Sequence, residues 1–249
     1  MVDKILDMLK KFCDDFVLFG RILPVIMAML PVIIYGIFEG YITDKKVAIP
    51  LYGGIFVLIL IGMEKVVRTW GKNVENKMYE KLGAKPTTIV FRYSDSTIDM
   101  LTKTRYHKYI NEKIKDMDLP IKVDDENEKS DIFYESAMNY LRKYANAHRD
   151  SEQRVYQDLK EYNFWRNLYG CKWIAIIIYA IIAVREFYGI DNFNVKDMFL
   201  NMYPTYVMFV FIMICIMLMC SVANKNIVKQ RAFEYAKSLA EVCERFTEV

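Results

Sequence analysis

The chain has 249 residues, of which 54% are hydrophobic and 26% are charged, and its formal net charge at pH 7 is +3. This apolar fraction exceeds that of an average soluble domain, so charged and apolar residues must be segregated along the chain. Acidic and basic residues are mixed throughout residues 64–172. No uniformly basic surface results, and nucleic acid is not expected as a partner.

Four apolar segments predict an all-α integral membrane protein with four transmembrane helices in two hairpins. Each segment is roughly 17 to 20 residues long, close to the length that crosses about 30 Å of hydrocarbon. The first hairpin comprises residues 22–63 and the second comprises residues 173–222. Residues 64–172, between spans 2 and 3, predict an inserted cytoplasmic domain that is mostly helical.

The first span, residues 22–38, contains Pro24 and Pro31, each of which lacks a backbone donor. We therefore expect a kink, with neighbouring helices satisfying the freed carbonyl groups. The second span has no proline or turn cluster after residue 63 until Gly83 and Pro86, which predicts a helix that continues beyond the bilayer and ends there.

Three further segments complete the predicted organisation. Residues 1–21 have helical spacing of apolar side chains and predict an N-terminal amphipathic segment. Inside the inserted domain, Thr87 to Tyr93 is short and β-branched and predicts a strand or an extended connector. Ser94 or Asp95 is expected to cap the helix that follows, and a later helix is expected to carry Phe133, Ala137, Tyr140, Leu141 and Tyr144 on one face.

The basic residues predict the orientation in the membrane. Basic side chains flank spans 2, 3 and 4 on one side, which places both termini and the insert in the cytoplasm by the positive-inside rule. The expected location is the bacterial inner membrane, as a multi-pass protein in contact with lipid. The residues assigned to the membrane interface and its headgroups are Lys65, Arg68, Trp70, Trp165, Arg166, Lys172 and Trp173.

Residues 223–249 predict a C-terminal cytoplasmic amphipathic helix with a heptad seam. The seam residues alternate by four and three: Val228, Ala232, Tyr235, Leu239, Val242 and Phe246. Such a seam suits either self-association or packing on the insert, and a homo-oligomer is expected.

Sequence motifs for enzymes and metals are sparse. The chain has no Walker A loop, no GxGxxG and no HExxH, and its five cysteines form no CxxC pair. No metal site or cofactor is expected. Arg142 and His148, in the segment RKYANAH, resemble the ribonuclease motif of HEPN domains, in which arginine and histidine cleave an RNA phosphodiester across a dimer. They are the only catalytic candidates, and the alternative is an interfacial arginine with a surface histidine.

A second resemblance covers residues 83–175. The segments RYHKYI, HRDSEQ and EYNFWRNLYGCKW, with Tyr162, Phe164, Arg166, Asn167 and Gly170, resemble uncharacterised bacterial four-helix membrane proteins of anti-phage defence systems. The resemblance implies a membrane component that responds to infection, with a cytoplasmic protein or nucleotide signal meeting residues 83–172.

Together these patterns favour a non-enzymatic, oligomeric inner-membrane effector or sensor that forms a pore or disturbs the membrane. Two alternatives remain open: a membrane scaffold that tethers a cytoplasmic partner, and a membrane-bound HEPN-like ribonuclease. The absence of ionisable residues from the apolar cores argues against an ion-coupled transporter.

Overall fold

The computed structural model describes residues 14–39, 45–189 and 204–246, with the backbone alone for residues 45–61. These residues form helices and turns and contain no β-strand. In chain order the helices are α1 (Asp15–Phe38), α2 (Lys45–Leu82), α3 (Pro86–Ile89), α4 (Met100–Lys113), α5 (Ser130–Ala147), α6 (Gln153–Tyr188), α7 (Pro204–Val222) and α8 (Lys225–Glu241), with short 3-10 turns at Val123–Asp125 and Val242–Phe246.

The chain divides into two compact units. Unit 1 comprises residues 1–74 and 163–227, and unit 2 comprises residues 75–162 and 228–249. Helices α2 and α6 each contribute residues to both units.

Three helices are long and apolar enough to cross a membrane: α1, α6 and α7. The predicted all-helical class is therefore confirmed for the described residues, and three of their helices could cross a membrane by length and composition. The predicted second span lies within α2, whose side chains over residues 45–61 are outside the described part of the structure. A count of four spans stays a prediction.

Helix α1 begins closer to the N-terminus than the predicted span. Asp14 caps it by accepting the N–H groups of Phe16 and Val17. A five-residue π-helical segment, Leu18–Ile22, follows, and the helix then continues to Phe38. No break thus separates residues 15–21 from the predicted span, while residues 1–13 of the predicted amphipathic segment lie outside the described residues.

Pro24 of α1 has one of the consequences that the sequence predicts. The carbonyl of Gly20 would accept an α-helical hydrogen bond from residue 24, but that residue is proline and has no N–H. The side-chain amide of Asn167 donates to it instead, at 2.7 Å. The expectation that a neighbouring helix serves a carbonyl freed by proline is confirmed here, because Asn167 belongs to α6. The Tyr179 hydroxyl of α6 also donates to α1, to the Ala28 carbonyl at 2.6 Å.

Helix α6 presents one continuous face to the core of unit 1. Its buried residues recur at intervals of three and four from Phe164 to Ile182, opposite α1 and α7 residues such as Val25 and Ile212. Glycine makes the contact with α2 possible: a Cβ at Gly170 would lie 2.8 Å from the Gly71 backbone nitrogen. Small residues that let two backbones approach this closely are typical of membrane helix packing.

The end of α2 follows the sequence prediction. Helix α2 runs without interruption to Leu82, and Gly83 then adopts φ = +76°, a left-handed conformation that glycine accepts without strain. Helix α6 runs unbroken from Gln153 to Tyr188, and α7 begins at Pro204, the position that favours proline in a helix.

Several predictions for unit 2 are wrong in detail. Thr87 to Tyr93 forms no strand, because Pro86 starts the short helix α3 and turns follow it. Helix α4 is capped by Asp99, which accepts the N–H of Thr102, rather than by Ser94 or Asp95. Asp95 instead accepts the N–H of Thr97 and closes a turn before the helix.

The buried face of α5 is also shifted from the predicted one. The fully buried residues are Tyr134, Ala137, Met138 and Leu141. Phe133 is half-buried, and Tyr140 is 38% exposed. Tyrosines occur on both sides of this helix, so apolar spacing alone does not distinguish the faces.

Candidate functional site

A small pocket in unit 2 contains Arg142, the arginine that the sequence singles out. It lies between α5, the first turns of α6 and α8, and its lining residues are Arg142, Ala145, Asn146, Arg149, Glu152, Val155, Tyr156, Leu159, Tyr235 and Leu239. The α5 side chains share a face because they are three or four residues apart, and the same spacing holds for those of α6.

The pocket combines an apolar floor with two arginines. Arg142 hydrogen bonds to the Tyr235 hydroxyl and, at 3.3 Å, to the Asn139 side chain. The Arg149 guanidinium lies 5.3 Å from the centre of the Tyr156 ring, in a cation–π contact. In the described part of the chain neither arginine forms an ion pair, so both charges are available at the pocket.

The acidic residue of the pocket is already matched by a third arginine. Glu152 is 6% exposed, and its carboxylate lies 2.7 Å from Nε of Arg245. Arg245 also donates to the Ser151 carbonyl at 2.8 Å. Because Glu152 is neutralised in this way, the pocket keeps an excess of positive charge.

His148 does not line this pocket. It ends α5, where its Nδ1 donates to the Tyr144 carbonyl at 2.9 Å and its ring stacks on Tyr144 with centroids 4.2 Å apart. A histidine at a helix C-terminus is a favourable structural arrangement. Within the described chain, Arg142 and His148 therefore have separate partners, and the HEPN-like pairing, which requires two copies, stays a prediction.

The heptad seam is buried inside the same chain. Val228, Ala232, Tyr235, Leu239 and Val242 are each at most 6% exposed, while the side chain of Phe246 lies outside the described residues. Tyr235 stacks on Tyr162 of α6, with ring centroids 6.4 Å apart. These five side chains pack on the insert, which is one of the two uses expected for the seam. Assembly of copies stays a prediction and would need another surface.

The residues assigned to the membrane interface fall into two groups. Lys65, Arg68 and Trp173 are exposed, and Trp70 and Trp165 are half-buried. Arg166 and Lys172 are buried, at 4% and 8% exposure. These two side chains therefore do not make the expected contacts with lipid headgroups. Lys172 donates to the carbonyls of Cys220 and Ala223, at 3.0 and 2.9 Å, at the end of α7. Lysine satisfies these carbonyls because a helix leaves its last carbonyl groups without internal donors.

The two ends of unit 1 contain buried charges that sequence reasoning missed. Glu64 is 7% exposed and accepts from Arg21 at 2.9 Å. Glu186 is 5% exposed and accepts from the Tyr35 hydroxyl at 2.9 Å. Glu186 falls in a segment that the sequence assigns to a loop. Its helical spacing from the buried Tyr179 and Ile182 is the signal that would have placed it on the packed face of α6.

Unit 2 contains a second buried polar cluster, which includes Lys103 and His107. Lys103 is 1% exposed and donates to the carbonyls of Arg92, at 2.6 Å, and Asp95. His107 is fully buried, and its Nδ1 lies 2.7 Å from the Pro120 carbonyl and so carries a proton. Burial lowers the pKa of both side chains because it disfavours their charged forms.

Tyrosines complete this cluster. The Tyr134 hydroxyl donates to Glu126 at 2.7 Å, and its ring lies 5.3 Å from that of His107. Burial and the Glu126 carboxylate raise the pKa of Tyr134. The Lys103 amine and the Tyr134 hydroxyl are engaged by the chain itself, whereas the buried Nε2 of His107 has no hydrogen-bond partner among the described residues.

Among the described residues, no group of three or more His, Cys, Asp or Glu side chains is placed to hold a metal ion. The chain matches no protein-family model, no curated protein and no solved structure. The function is therefore inferred from the geometry of the chain itself.

Proposed function

We propose that the chain is a non-enzymatic, self-associating membrane effector or sensor in a bacterial inner membrane. In this proposal it has four spans, both termini are cytoplasmic, and unit 2 controls the packing and permeability of unit 1. Its trigger belongs to anti-phage defence, as the resemblance of residues 83–175 implies.

The hydrogen bond between Tyr35 and Glu186 carries the proposal. It joins α1 to α6, two helices that could each cross a membrane, and its carboxylate is buried. Arg185, next to Glu186, pairs with Glu39 at 2.7 Å and also contacts the Tyr35 hydroxyl. An ionisable residue between membrane helices is costly and is a functional candidate for that reason.

Polar contacts of this kind suit a helix arrangement that can change. Apolar side chains gain little by leaving lipid for another helix, so association in a bilayer depends on close packing and hydrogen bonds. Loss of the Tyr35–Glu186 and Arg185–Glu39 contacts would free α1 from α6 at one end and open a path for water and ions.

Dye release from proteoliposomes tests this function. We expect Glu186→Ala to release dye several-fold faster than the wild type, because the Tyr35 hydroxyl loses the carboxylate of α6 that accepts its hydrogen bond. Val184→Ala, at a 54% exposed position two residues away, is the matched control and should behave as wild type. If the folded wild type and folded Glu186→Ala both release dye only at the background rate, the effector proposal is contradicted.

Two further measurements separate parts of the proposal. A defined oligomer of the full-length protein by native mass spectrometry in detergent would support self-association, and a monomer would contradict it. Loss of membrane potential during phage infection of expressing cells would support the defence role, and an unchanged potential would remove it.

A membrane scaffold is the second candidate. The exposed apolar side chains of unit 2, Leu101 at 84% and Ile132 at 71%, favour it because they offer contacts to a protein partner. Replacement of the spans by an unrelated membrane anchor should preserve the function of a scaffold and abolish that of an effector.

A further inference from the structure

The pocket beside Arg142 and Arg149 has the chemistry of an anion site. Arginine presents several N–H donors in a planar fork that matches the oxygen atoms of phosphate or carboxylate. Arg142 lies on the last turns of α5 and Arg149 lies in the turn that follows this helix, and both line the same pocket. Their hydrogen-bond donors exceed the contacts that they make within the chain.

The surroundings favour a ligand that has a planar ring next to its anion. Tyr156 is half-buried, and its ring centre lies 5.3 Å from the Arg149 guanidinium and 5.1 Å from the Lys160 ammonium. Asn146 is exposed at the rim and supplies both a donor and an acceptor. A base or another flat group can stack on such an aromatic surface.

The size of the pocket limits which part of the ligand enters. Its enclosed space is about that of one water molecule, so no large group is buried. An anion would therefore be held at the mouth of the pocket, where Arg149 is exposed.

Of the two classes of oxyanion that arginine recognises in this way, phosphate fits the pocket better than carboxylate. Two arginines whose charges are not cancelled can balance the double charge that a phosphate monoester carries near neutral pH. The one carboxylate of the pocket, Glu152, is matched by Arg245 and leaves this balance intact.

We propose that this pocket binds a phosphate monoester, with Arg142 and Arg149 contacting the phosphate and Tyr156 contacting the group attached to it. The phosphate can belong to a soluble nucleotide or to a lipid headgroup. The regulatory meaning of the site rests on the proposed effector function, in which unit 2 receives the trigger, but binding itself does not.

Titration calorimetry of the full-length protein in detergent tests the site, with AMP, adenosine and inorganic phosphate as probes. We expect AMP to bind at least tenfold more tightly than adenosine, because a charge-assisted hydrogen bond contributes about 1.5–3 kcal/mol. Adenosine binding as tightly as AMP, or no binding of AMP and phosphatidic acid alike, would overturn the proposal.

Variants identify the residues. Arg149→Gln should weaken AMP binding about tenfold or more, and we expect the fold to stay intact because Arg149 is exposed. Arg142→Gln should weaken it similarly. The control is Arg154→Gln, a 70% exposed arginine on α6 that pairs with Glu241 and does not line the pocket. Equal affinities of Arg149→Gln and Arg154→Gln would overturn the assignment.

Two comparisons separate the ligand source from the proposed function. In nanodiscs, phosphatidic acid that competes with AMP at Arg149 identifies a lipid headgroup, and its failure to compete identifies a soluble phosphate. AMP that binds without changing dye release leaves the site standing and removes its link to permeability. Release that responds to Glu186→Ala while AMP and phosphatidic acid fail to bind leaves the function standing and removes the site.

Discussion

The two units bury polar groups by different rules. In unit 1 many exposed side chains are apolar, as at Ile177, Ile181 and Met217, which are 57–65% exposed, and several polar side chains are buried. Asn167 and Lys172 there donate to carbonyls that helices leave unpaired. In unit 2 the core is apolar and aromatic, and its buried donors serve the carbonyls of loops.

This contrast follows from the solvent expected around each unit. Water can satisfy the open carbonyl groups of a soluble fold at its surface, but hydrocarbon cannot. A membrane unit must therefore supply its own donors, and the side chains that do so become part of its core. We therefore expect substitutions that disturb packing to lower the stability of unit 1 most, and protonation of buried groups to lower the stability of unit 2.

The largest effect is expected where α2 and α6 touch. Gly170→Leu places a side chain where even a Cβ would lie 2.8 Å from the Gly71 nitrogen and 3.0 Å from the Trp70 carbonyl carbon. We expect a loss of about 3 kcal/mol in the free energy of unfolding, since backbone atoms cannot move aside as side chains do. Thermal unfolding in detergent measures it.

Gly62→Leu is the matched control for that change. Gly62 lies on α2, as Gly71 does, but has no atom within 4 Å of the Cβ position. Its replacement should leave stability unchanged or raise it, because glycine is a poor helix former. Equal melting temperatures for the two variants would show that the close approach of the helices contributes little.

An effect of protonation is expected next, in unit 2. The pKa of His107 is lowered chiefly by burial, which outweighs the hydrogen bond to the Pro120 carbonyl and the nearby Glu126 charge, while the Lys103 charge lowers it further. The folded state therefore favours neutral histidine. Its contribution to stability is complete above the unfolded pKa near 6.5 and is lost as pH falls through the lower folded pKa.

Hydrogen exchange of α4 peptides between pH 7 and pH 5 measures this loss. Protection should fall with pH in the wild type and fall less in His107→Phe, which keeps a ring among Phe91 and Tyr134 without a proton to gain. Peptides of α7 in unit 1 serve as the internal reference. An equal decline in both proteins would mean that other groups cause the acid sensitivity.

The smallest effect is expected at Tyr179. Tyr179→Phe removes the donor to the Ala28 carbonyl and leaves the ring in place. We expect a cost of about 1 kcal/mol, since hydrogen bonds between membrane helices contribute little net free energy. Unfolding in mixed detergent micelles measures it, with Tyr188→Phe, at an 82% exposed position, as the control. A loss in the free energy of unfolding greater than that of Gly170→Leu would contradict the expectation that close packing contributes more here than this hydrogen bond.

Sequence reasoning predicted the helices better than their partners. Apolar length predicted α1, α6 and α7 as spans, and Gly83 predicted the end of α2, because these signals are local. The burial of Lys172 and Arg166 was not predictable in this way: a basic residue beside an apolar segment has the same local pattern whether it faces headgroups or another helix.

The candidate site was predicted only in part. Arg142 was singled out, yet Arg149, Tyr156 and Arg245 join its surroundings through contacts among α5, α6 and the end of the chain. Likewise the seam of Val228, Ala232 and Leu239 has a heptad spacing that fits self-association and internal packing equally. Only the tertiary structure distinguishes these uses.

The contacts of Lys172 also bear on the order in which the protein is made. Its ammonium group binds carbonyls that lie 48 and 51 residues later in the chain. During synthesis from the N-terminus, α6 is therefore complete before its buried lysine has a protein partner. Water or lipid headgroups must hold that charge until α7 arrives, so the final position of α6 is reached only as the last span inserts beside it.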